Sequence, residues 1–172
     1  LGLNALNGES YKMSDYDKRV RGTLGLHKTV AKHNLVYGLN TTYQQGTSGS
    51  FLLWESYDLG YTALDSGSTD NTASRLSIDP YLKWSTGKFQ HTLNTRYLSI
   101  NNEVDNGDPT IDQSNSSDLV YAEYQSSFNL TAKRFNAVGG LVAINTVTQS
   151  PLYNGTQNAT NYAAYVQLEK GW

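Results

Sequence analysis

The chain has 172 residues, enough for one ordinary domain, and its formal net charge of −2 gives no electrostatic case for binding nucleic acid. Only 38% of the residues are hydrophobic, and no run approaches the roughly 18 consecutive apolar residues of a membrane-spanning helix. A helical membrane protein is therefore excluded. A membrane β-barrel is not, because only half of each strand faces lipid and the loops are polar.

The sequence predicts an all-β fold, an antiparallel meander of about eight strands, each recognised by polar and apolar residues that alternate with a period of two. In chain order they cover residues 1–7, 18–30, 35–45, 75–84, 89–100, 118–130, 135–147 and 161–172. Polar loops are predicted at 8–17, 46–72, 101–117 and 148–160, and short turns at 31–34, 85–88 and 131–134, with Gly87 at positive φ. The alternation is weak in the seventh strand, which leaves its register open.

The fourth strand shows the alternation best. Its even positions are Leu76, Ile78, Pro80, Leu82 and Trp84, and its odd positions are Arg75, Ser77, Asp79, Tyr81 and Lys83. One face is wholly apolar and the other carries two cations and a carboxylate, which suits a wall between lipid and water. Pro80 fits less easily, since a proline lacks a ladder donor and is expected at a bulge or an edge.

The connections predict a direction across the membrane. From the second strand on they read short, long, short, long, short, long, as in outer-membrane barrels with short periplasmic turns and long extracellular loops. The turns near Lys32, Gly87 and Lys133 would then be periplasmic, and the loops near Trp54, Asp105 and Tyr153 extracellular. A soluble β-sandwich or lipocalin-like barrel also alternates and remains open.

The aromatic composition is typical of a protein surface that contacts both water and an apolar environment. The chain has 13 Tyr and 3 Trp against 4 Phe. Such residues collect at membrane interfaces, and also at carbohydrate sites and protein interfaces. Trp84 and Phe89 flank a short turn and are predicted to form an interfacial girdle. Cysteine is absent, so disulfides and thiolate chemistry are excluded.

An ordered series of short motifs resembles the barrel strands of TonB-dependent outer-membrane receptors. Residues 16–24 are similar to that family's KRV strand opening, 35–41 to its YGLN strand, and 50–56 to a loop element with Ser, Phe and Trp. Residues 77–82 resemble IDPYL, 93–97 the RYY strand, 121–125 GEYQ, and 165–170 YAQ-E-K. The series spans nearly the whole chain.

This resemblance implies a fold, a location and a function. Such receptors have a 22-stranded barrel with a plug domain inside. They import an iron-siderophore, cobalamin or a glycan across the outer membrane of Gram-negative bacteria, using energy from the TonB complex. Residues 1–172 show no plug domain, TonB box or signal peptide. We therefore expect a single barrel segment whose partners are outer-membrane lipid, the plug and remaining strands, the TonB complex and a small-molecule or glycan ligand.

Two groups of candidate site residues follow. Charged strand residues should face the barrel lumen, in an ion-pair network that contacts the plug or, less simply, in ligand contacts: Arg19, Arg21, Arg75, Asp79, Lys83, Arg96 and Glu123. Aromatic residues in the long outer loop could stack on a ligand or fold the loop onto the rim. These are Phe51, Trp54, Tyr57 and Tyr61.

The remaining patterns carry little chemistry. Residues 105–108 (Asp-Asn-Gly-Asp), with Asp112, have the composition of a calcium loop without EF-hand spacing, and a solvated loop is the simpler interpretation. The three His, at 27, 33 and 91, lack zinc-ligand spacing. No Gly-x-Ser-x-Gly motif is present, so neither an enzyme nor a cofactor is expected.

Two alternatives to the receptor segment stay open. Trp172 follows an alternating strand, as in outer-membrane proteins with a terminal aromatic, which favours a stand-alone eight-stranded barrel with a structural or adhesive role. A soluble β-rich module that binds glycans through its loop aromatics is the other. Detergent dependence separates the soluble module from either barrel.

Overall fold

The computed structural model describes residues 1–10, 12–51, 53–64, 68–108, 110, 112–130, 134–153 and 155–171, so that Trp172 and most of the turn at 131–134 lie outside it. Eight strands form one antiparallel sheet, with strand order identical to chain order. The strands are β1 Gly2–Glu9, β2 Tyr16–Val30, β3 Leu35–Phe51, β4 Ser68–Thr86, β5 Phe89–Asp105, β6 Asn115–Leu130, β7 Phe135–Ser150 and β8 Gly155–Lys170. The predicted all-β meander is confirmed.

The sheet is open, because β1 and β8 are its two edges and each pairs with one neighbour among the described residues. Short 3₁₀ helices, Ala31–His33 and Pro151–Tyr153, interrupt two of the connections. No helix in the described part of the chain is long and apolar enough to cross a membrane.

The strands extend further on the loop side than the sequence predicts. The connections from β2 on are 31–34, 52–67, 87–88, 106–114, 131–134 and 151–154. The predicted loop at 148–160 is wrong, because Thr148 pairs with Gln157 and Ser150 with Gly155, which leaves a four-residue turn. The predicted order of short and long connections therefore fails at the last one. Polar side chains on both faces look like a loop in sequence, yet they leave backbone pairing unaffected.

Two of the tight turns use residues that adopt a left-handed backbone readily. Gly87, in the two-residue turn between β4 and β5, has φ of 61°, as predicted. Asn34, after the first 3₁₀ helix, has φ of 47°, and its N–H bonds the carbonyl of Ala31 at 3.1 Å. Asparagine is among the non-glycine residues that adopt this conformation most readily.

The pairing register sorts the side chains into two faces, here called the polar face and the apolar face. In β4 the polar face carries the odd-numbered residues from Arg75 to Lys83, and the apolar face the even-numbered residues from Leu76 to Trp84. The register also resolves the seventh strand: Leu141 pairs with Tyr124 on the apolar face, and Val142 with Glu123 on the polar face.

Pro80 lies in an interior strand without a bulge, so the expectation of a bulge or an edge is wrong. Ile78 pairs with Tyr97 and Tyr81 with Asn94, which is the same register on both sides of the proline. Pro80 pairs with Leu39 in β3, whereas Asp79 and Pro80 have no backbone pairing with β5. The missing N–H therefore leaves a local gap in the β4–β5 ladder. Thr95 crosses this gap, donating from Oγ1 to the carbonyl oxygen of Pro80 at 3.1 Å.

The sheet has no hydrophobic core of its own. Among the described residues no hydrophobic side chain is buried, and many large ones on the apolar face are exposed, including Val20 (59%), Leu141 (61%) and Val166 (78%). A single layer with one uncovered apolar face needs an apolar environment or a second layer on that side.

Candidate functional site

The polar face is the concave side of the sheet. A cavity of about 890 Å³ spans β2 to β6, and polar-face residues form almost all of its lining, among them His27, Asn40, Lys83, Asn94 and Tyr121. The register places every charged residue predicted for the lumen on this face: Arg19, Arg21, Arg75, Asp79, Lys83, Arg96 and Glu123.

The strongest polar contact in the cavity joins Asp79 on β4 to Arg96 on β5. Arg96 donates from Nε to Oδ1 of Asp79 at 2.5 Å and from its terminal nitrogen to Oδ2 at 3.2 Å. Ser77 donates from Oγ to Oδ2 at 2.9 Å. A two-point contact between guanidinium and carboxylate is directional as well as strong. It crosses the same interval where Pro80 interrupts the ladder, so side chains join β4 to β5 where a backbone bond is missing.

Glu123 on β6 is the centre of a second cluster. It accepts the hydroxyl of Tyr121 at Oε2 (2.9 Å) and the hydroxyl of Tyr165, from β8, at Oε1 (3.0 Å). The Tyr165 ring crosses β7 above Gly140, where a Cβ would collide with the ring carbon Cζ and the hydroxyl oxygen Oη. Gly140 therefore makes room for the ring, and Tyr165 reaches across a whole strand to the carboxylate.

Of the other cationic side chains on the polar face, one forms a salt bridge and three do not form one with the described residues. Arg19 donates to Asp17 at 2.6 Å, two residues earlier in β2. Arg21, Arg75 and Lys83 make no salt bridge with the described residues. Because Arg21 and Arg75 line the same small cavity of about 250 Å³, the concave side has unneutralised positive charge at that position.

The predicted loop aromatics lie at the loop end of the sheet, and the described part of the chain does not bring them into the 890 Å³ cavity. Phe51 is the last residue of β3 and not a loop residue, which corrects its predicted position, and Nζ of Lys12 lies 5.8 Å from its ring centroid. Trp54 pairs with Ala63 in a small antiparallel bridge. Tyr57 is 96% exposed, and the carbonyl of Tyr61 accepts the N–H of Met13 at 2.8 Å. The loop before β2 is thus docked onto the loop after β3.

The acidic loop uses its carboxylates to build turns. Asp105 accepts the N–H of Gly107, and Asp112 that of Ser114, both at 2.9 Å. The hydroxyl and N–H of Thr110 both bond Asp108, and these bonds hold the pKa of Asp108 below its usual range. Bonds from Ser114, first from its N–H, lower the pKa of Asp112 likewise. This geometry fits the interpretation of the described residues 106–108, 110 and 112 as a solvated loop that follows Asp105 at the end of β5.

The apolar face carries a band that runs obliquely to the strands. In β2 the band covers 20–26, and in β8 it covers 162–168. Thr23, at the centre of the first range, marks the height of the band in β2. The residues paired at the same height in the following strands are Thr42, Ser77, Leu98, Leu119, Thr146 and, in β8, Ala159. The centre of the second range, Tyr165, lies six residues from Ala159 towards the turn side, so the band is displaced by six residues between β2 and β8. Six residues of about 3.3 Å over six strand spacings of about 4.8 Å correspond to an angle of about 35°.

Aromatic residues border this band on both sides. The turn-side belt is Trp84, Phe89 and Phe128, with ring centroids of Phe89 and Phe128 5.0 Å apart. The loop-side belt is Tyr43, Tyr97 and Tyr162. The hydroxyl of Tyr97 donates to Asp118 at 2.9 Å and that of Tyr43 to Gln45 at 3.1 Å, so both reach polar groups just beyond the band. In β5 the belts are eight residues apart, about 26 Å along the strand.

Sequence reasoning missed several residues that complete these clusters. Tyr121 and Tyr165 bond Glu123, and Ser77 bonds Asp79. These residues have odd numbers, so alternation alone predicts that they lie on the charged face. Which residues they contact in other strands could not be predicted, because those contacts depend on the pairing register. On the apolar face, Nδ1 of His91 lies 2.8 Å from the hydroxyl of Tyr124, and its ring stacks on Trp84.

Comparison of the chain with family models, with curated proteins and with solved structures found no match in any of the three.

Proposed function

We propose that the chain forms part of the wall of a transmembrane β-barrel in the outer membrane of a Gram-negative bacterium. The apolar face lies against lipid and the polar face towards the barrel interior. One observation carries this proposal: an uncovered apolar band, bordered by two aromatic belts about 26 Å apart along the strand, which a tilt of about 35° projects to a height of about 21 Å. Outer-membrane barrels have an outward apolar band about 25 Å tall between aromatic girdles, on strands tilted by about 35–45°. The oblique course of the band matches that tilt.

The distribution of charge supports the same orientation. Among the described residues of the apolar face, charged side chains occur only towards the strand ends, such as Lys18, Asp118 and Glu103 on the loop side and Lys28 and Lys170 on the turn side. On the polar face, Asp79, Arg96 and Glu123 lie well within the strands. Charges at mid-height are costly against lipid and tolerated in a polar interior.

Within this wall we assign the chain to a receptor that takes up a scarce nutrient in a TonB-dependent manner. The support is the ordered series of motifs that resembles such receptors, together with a polar concave side large enough to contact an interior domain or a ligand. The partners are the plug domain, the remaining strands of the barrel and, through the plug, the TonB complex. The ligand class is an iron-siderophore, cobalamin or a glycan.

The open sheet counts against the stand-alone eight-stranded barrel. A closed barrel of this size would need β1 to pair with β8, and the described residues of these strands lie at opposite edges. The uncovered apolar face counts against a soluble module, which would bury such a surface in a core.

Cysteine scanning tests the wall directly, since the chain has no native cysteine. Single substitutions along β4, from Arg75→Cys to Trp84→Cys, are made in the full-length protein and reacted in outer membranes with a water-soluble maleimide. Cysteines at odd positions should react with the maleimide, because they face the water-accessible interior. Cysteines at even positions should not react, because they face lipid. Uniform labelling, or better labelling at even positions, would overturn the proposal.

Uptake tests the receptor function separately. Cells that produce the full-length protein are given radiolabelled ferric siderophores, cobalamin or oligosaccharides, with and without an intact TonB complex. Accumulation of one ligand class that requires both the protein and TonB is the expected result. If no ligand class accumulated while the cysteine labelling still alternated, the barrel-wall proposal would stay supported and the uptake function would be overturned.

A further inference from the structure

Two arginines that form no ion pair with the described residues, Arg21 and Arg75, line the same small cavity on the polar face. Arg21 pairs across β2 and β3 with Gln44, and Gln44 pairs across β3 and β4 with Arg75, so the three occupy one row of the sheet. Two strand spacings, about 10 Å, separate the arginine backbones. The cavity of about 250 Å³ also includes Thr42, Ser77, Asp79, Arg96 and Leu98 in its lining.

The charge in this cavity is uncompensated. Its members are three guanidinium groups and one carboxylate, and the carboxylate of Asp79 is already engaged by Arg96 and Ser77. The cations of Arg21 and Arg75 therefore lie on a concave surface where the described residues offer no carboxylate other than that of Asp79. A concave wall reduces solvent screening and concentrates the potential, so that an anion placed there is attracted more strongly than at a convex surface.

We infer that Arg21, Gln44 and Arg75 form a binding site for the oxyanion group of a small ligand, a phosphate, sulfate or carboxylate. A guanidinium presents a planar fork that fits two oxygens of such a group. Two forks on either side of a neutral amide donor provide several N–H groups to one anion. The inference does not depend on the uptake function, because the row exists wherever the polar face points.

Inorganic phosphate is the probe for this site. Binding is measured by calorimetry on the full-length protein in detergent at low salt, because screening weakens exposed charge pairs. The wild type should bind phosphate saturably, one per chain. Arg21→Gln and Arg75→Gln should each lower the affinity by about tenfold or more, since each removes charge-assisted bonds.

Arg19→Gln is the matched control. It removes the same chemistry from the same face of β2, two residues away, but at a position already paired with Asp17 and outside the lining of this cavity. It should retain phosphate affinity within about twofold. Heat-modifiable migration on gels reports whether each variant is folded. Absence of saturable binding to the folded wild type, or an equal loss in Arg19→Gln, overturns the inference.

Discussion

At the scale of single residues, the Asp79–Arg96 pair illustrates how a side-chain contact can repair a backbone defect. The pair spans β4 and β5 beside Pro80, where the ladder lacks a bond. The side chain of Asp79 is 26% exposed and that of Arg96 is 52% exposed, against 43% for both members of the Arg19–Asp17 pair, so burial alone does not separate the two pairs. Arg96 contacts Asp79 at two points and joins two strands, whereas Arg19 contacts Asp17 at one point within one strand, so the first pair should stabilise the fold more.

A double-mutant cycle measures that difference. Asp79→Asn with Arg96→Gln should show a coupling free energy of about 1 kcal/mol in denaturant unfolding of the folded protein in detergent. Asp17→Asn with Arg19→Gln, an exposed pair within one strand, should stay below about 0.5 kcal/mol. Equal coupling in the two cycles would contradict a bridging role for Asp79 and Arg96.

A second prediction concerns the stability lost when Gly140 is replaced by alanine. In Gly140→Ala the new Cβ collides with the Tyr165 ring, which must move and give up its bond to Glu123. Because Tyr165 is 37% exposed and its ring can move aside, the free energy of unfolding should fall by about 0.5–1.5 kcal/mol, the net value of the lost hydrogen bond. Gly139→Ala is the control, because its Cβ would meet the carbonyl oxygen of Tyr165 only at 3.7 Å. If both variants lose equal stability, packing of Tyr165 over Gly140 is not the cause.

The acidic loop gives a prediction about pH. The bonds from Thr110 lower the pKa of Asp108, so they stabilise the loop above the ordinary carboxyl pKa, and this stabilisation is lost as pH falls through the lowered value. Thr110→Ala removes the hydroxyl bond, which is the larger cause, and should raise the pKa of Asp108 towards its ordinary value. Titration of the Asp108 carboxyl carbon by NMR checks this. An unchanged pKa would assign the shift to something other than Thr110.

At the scale of elements, the turn between β4 and β5 depends on one glycine. Gly87 has φ of 61°, and a side chain there costs about 1–2 kcal/mol, since the left-handed backbone is strained for other residues. Gly87→Ala should destabilise the folded protein by about that amount, whereas Lys88→Ala in the same turn should be nearly neutral. Denaturant unfolding compares them, and a neutral Gly87→Ala would show that the turn can change its geometry.

The strands were predictable where the two faces differ in polarity. Alternation identified β4 from Arg75 to Trp84, and the register confirms its two faces. It failed at residues 46–51, 68–74, 148–150 and 155–160, where most side chains on both faces are polar or glycine and the pairing depends on register. The same limit hid the clusters: alternation put Tyr165 on the charged face, but only the register brings it to Glu123 across β7.

At the scale of the whole molecule, the proposed lipid contact predicts a depth dependence. Leu141 and Gln149 lie on the apolar face of β7, eight residues apart, the first within the band and the second near the loop end. Leu141→Arg should cost about 2–4 kcal/mol of unfolding free energy in lipid vesicles, and Gln149→Arg about 0–1 kcal/mol. On a surface exposed to water both would be within about 0.5 kcal/mol of the wild type. If both substitutions lowered the unfolding free energy by the same small amount, the proposal that the apolar face contacts lipid would be wrong.

The strand order has a consequence for how such a wall could change in evolution. Because each described strand pairs only with its neighbours along the chain, no long-range crossover ties distant hairpins together. Adding or deleting one hairpin would alter the circumference of a wall while leaving the pairing of the remaining strands intact. A meander of this kind is therefore modular, and duplication of a two-strand unit is a short route to a wider barrel.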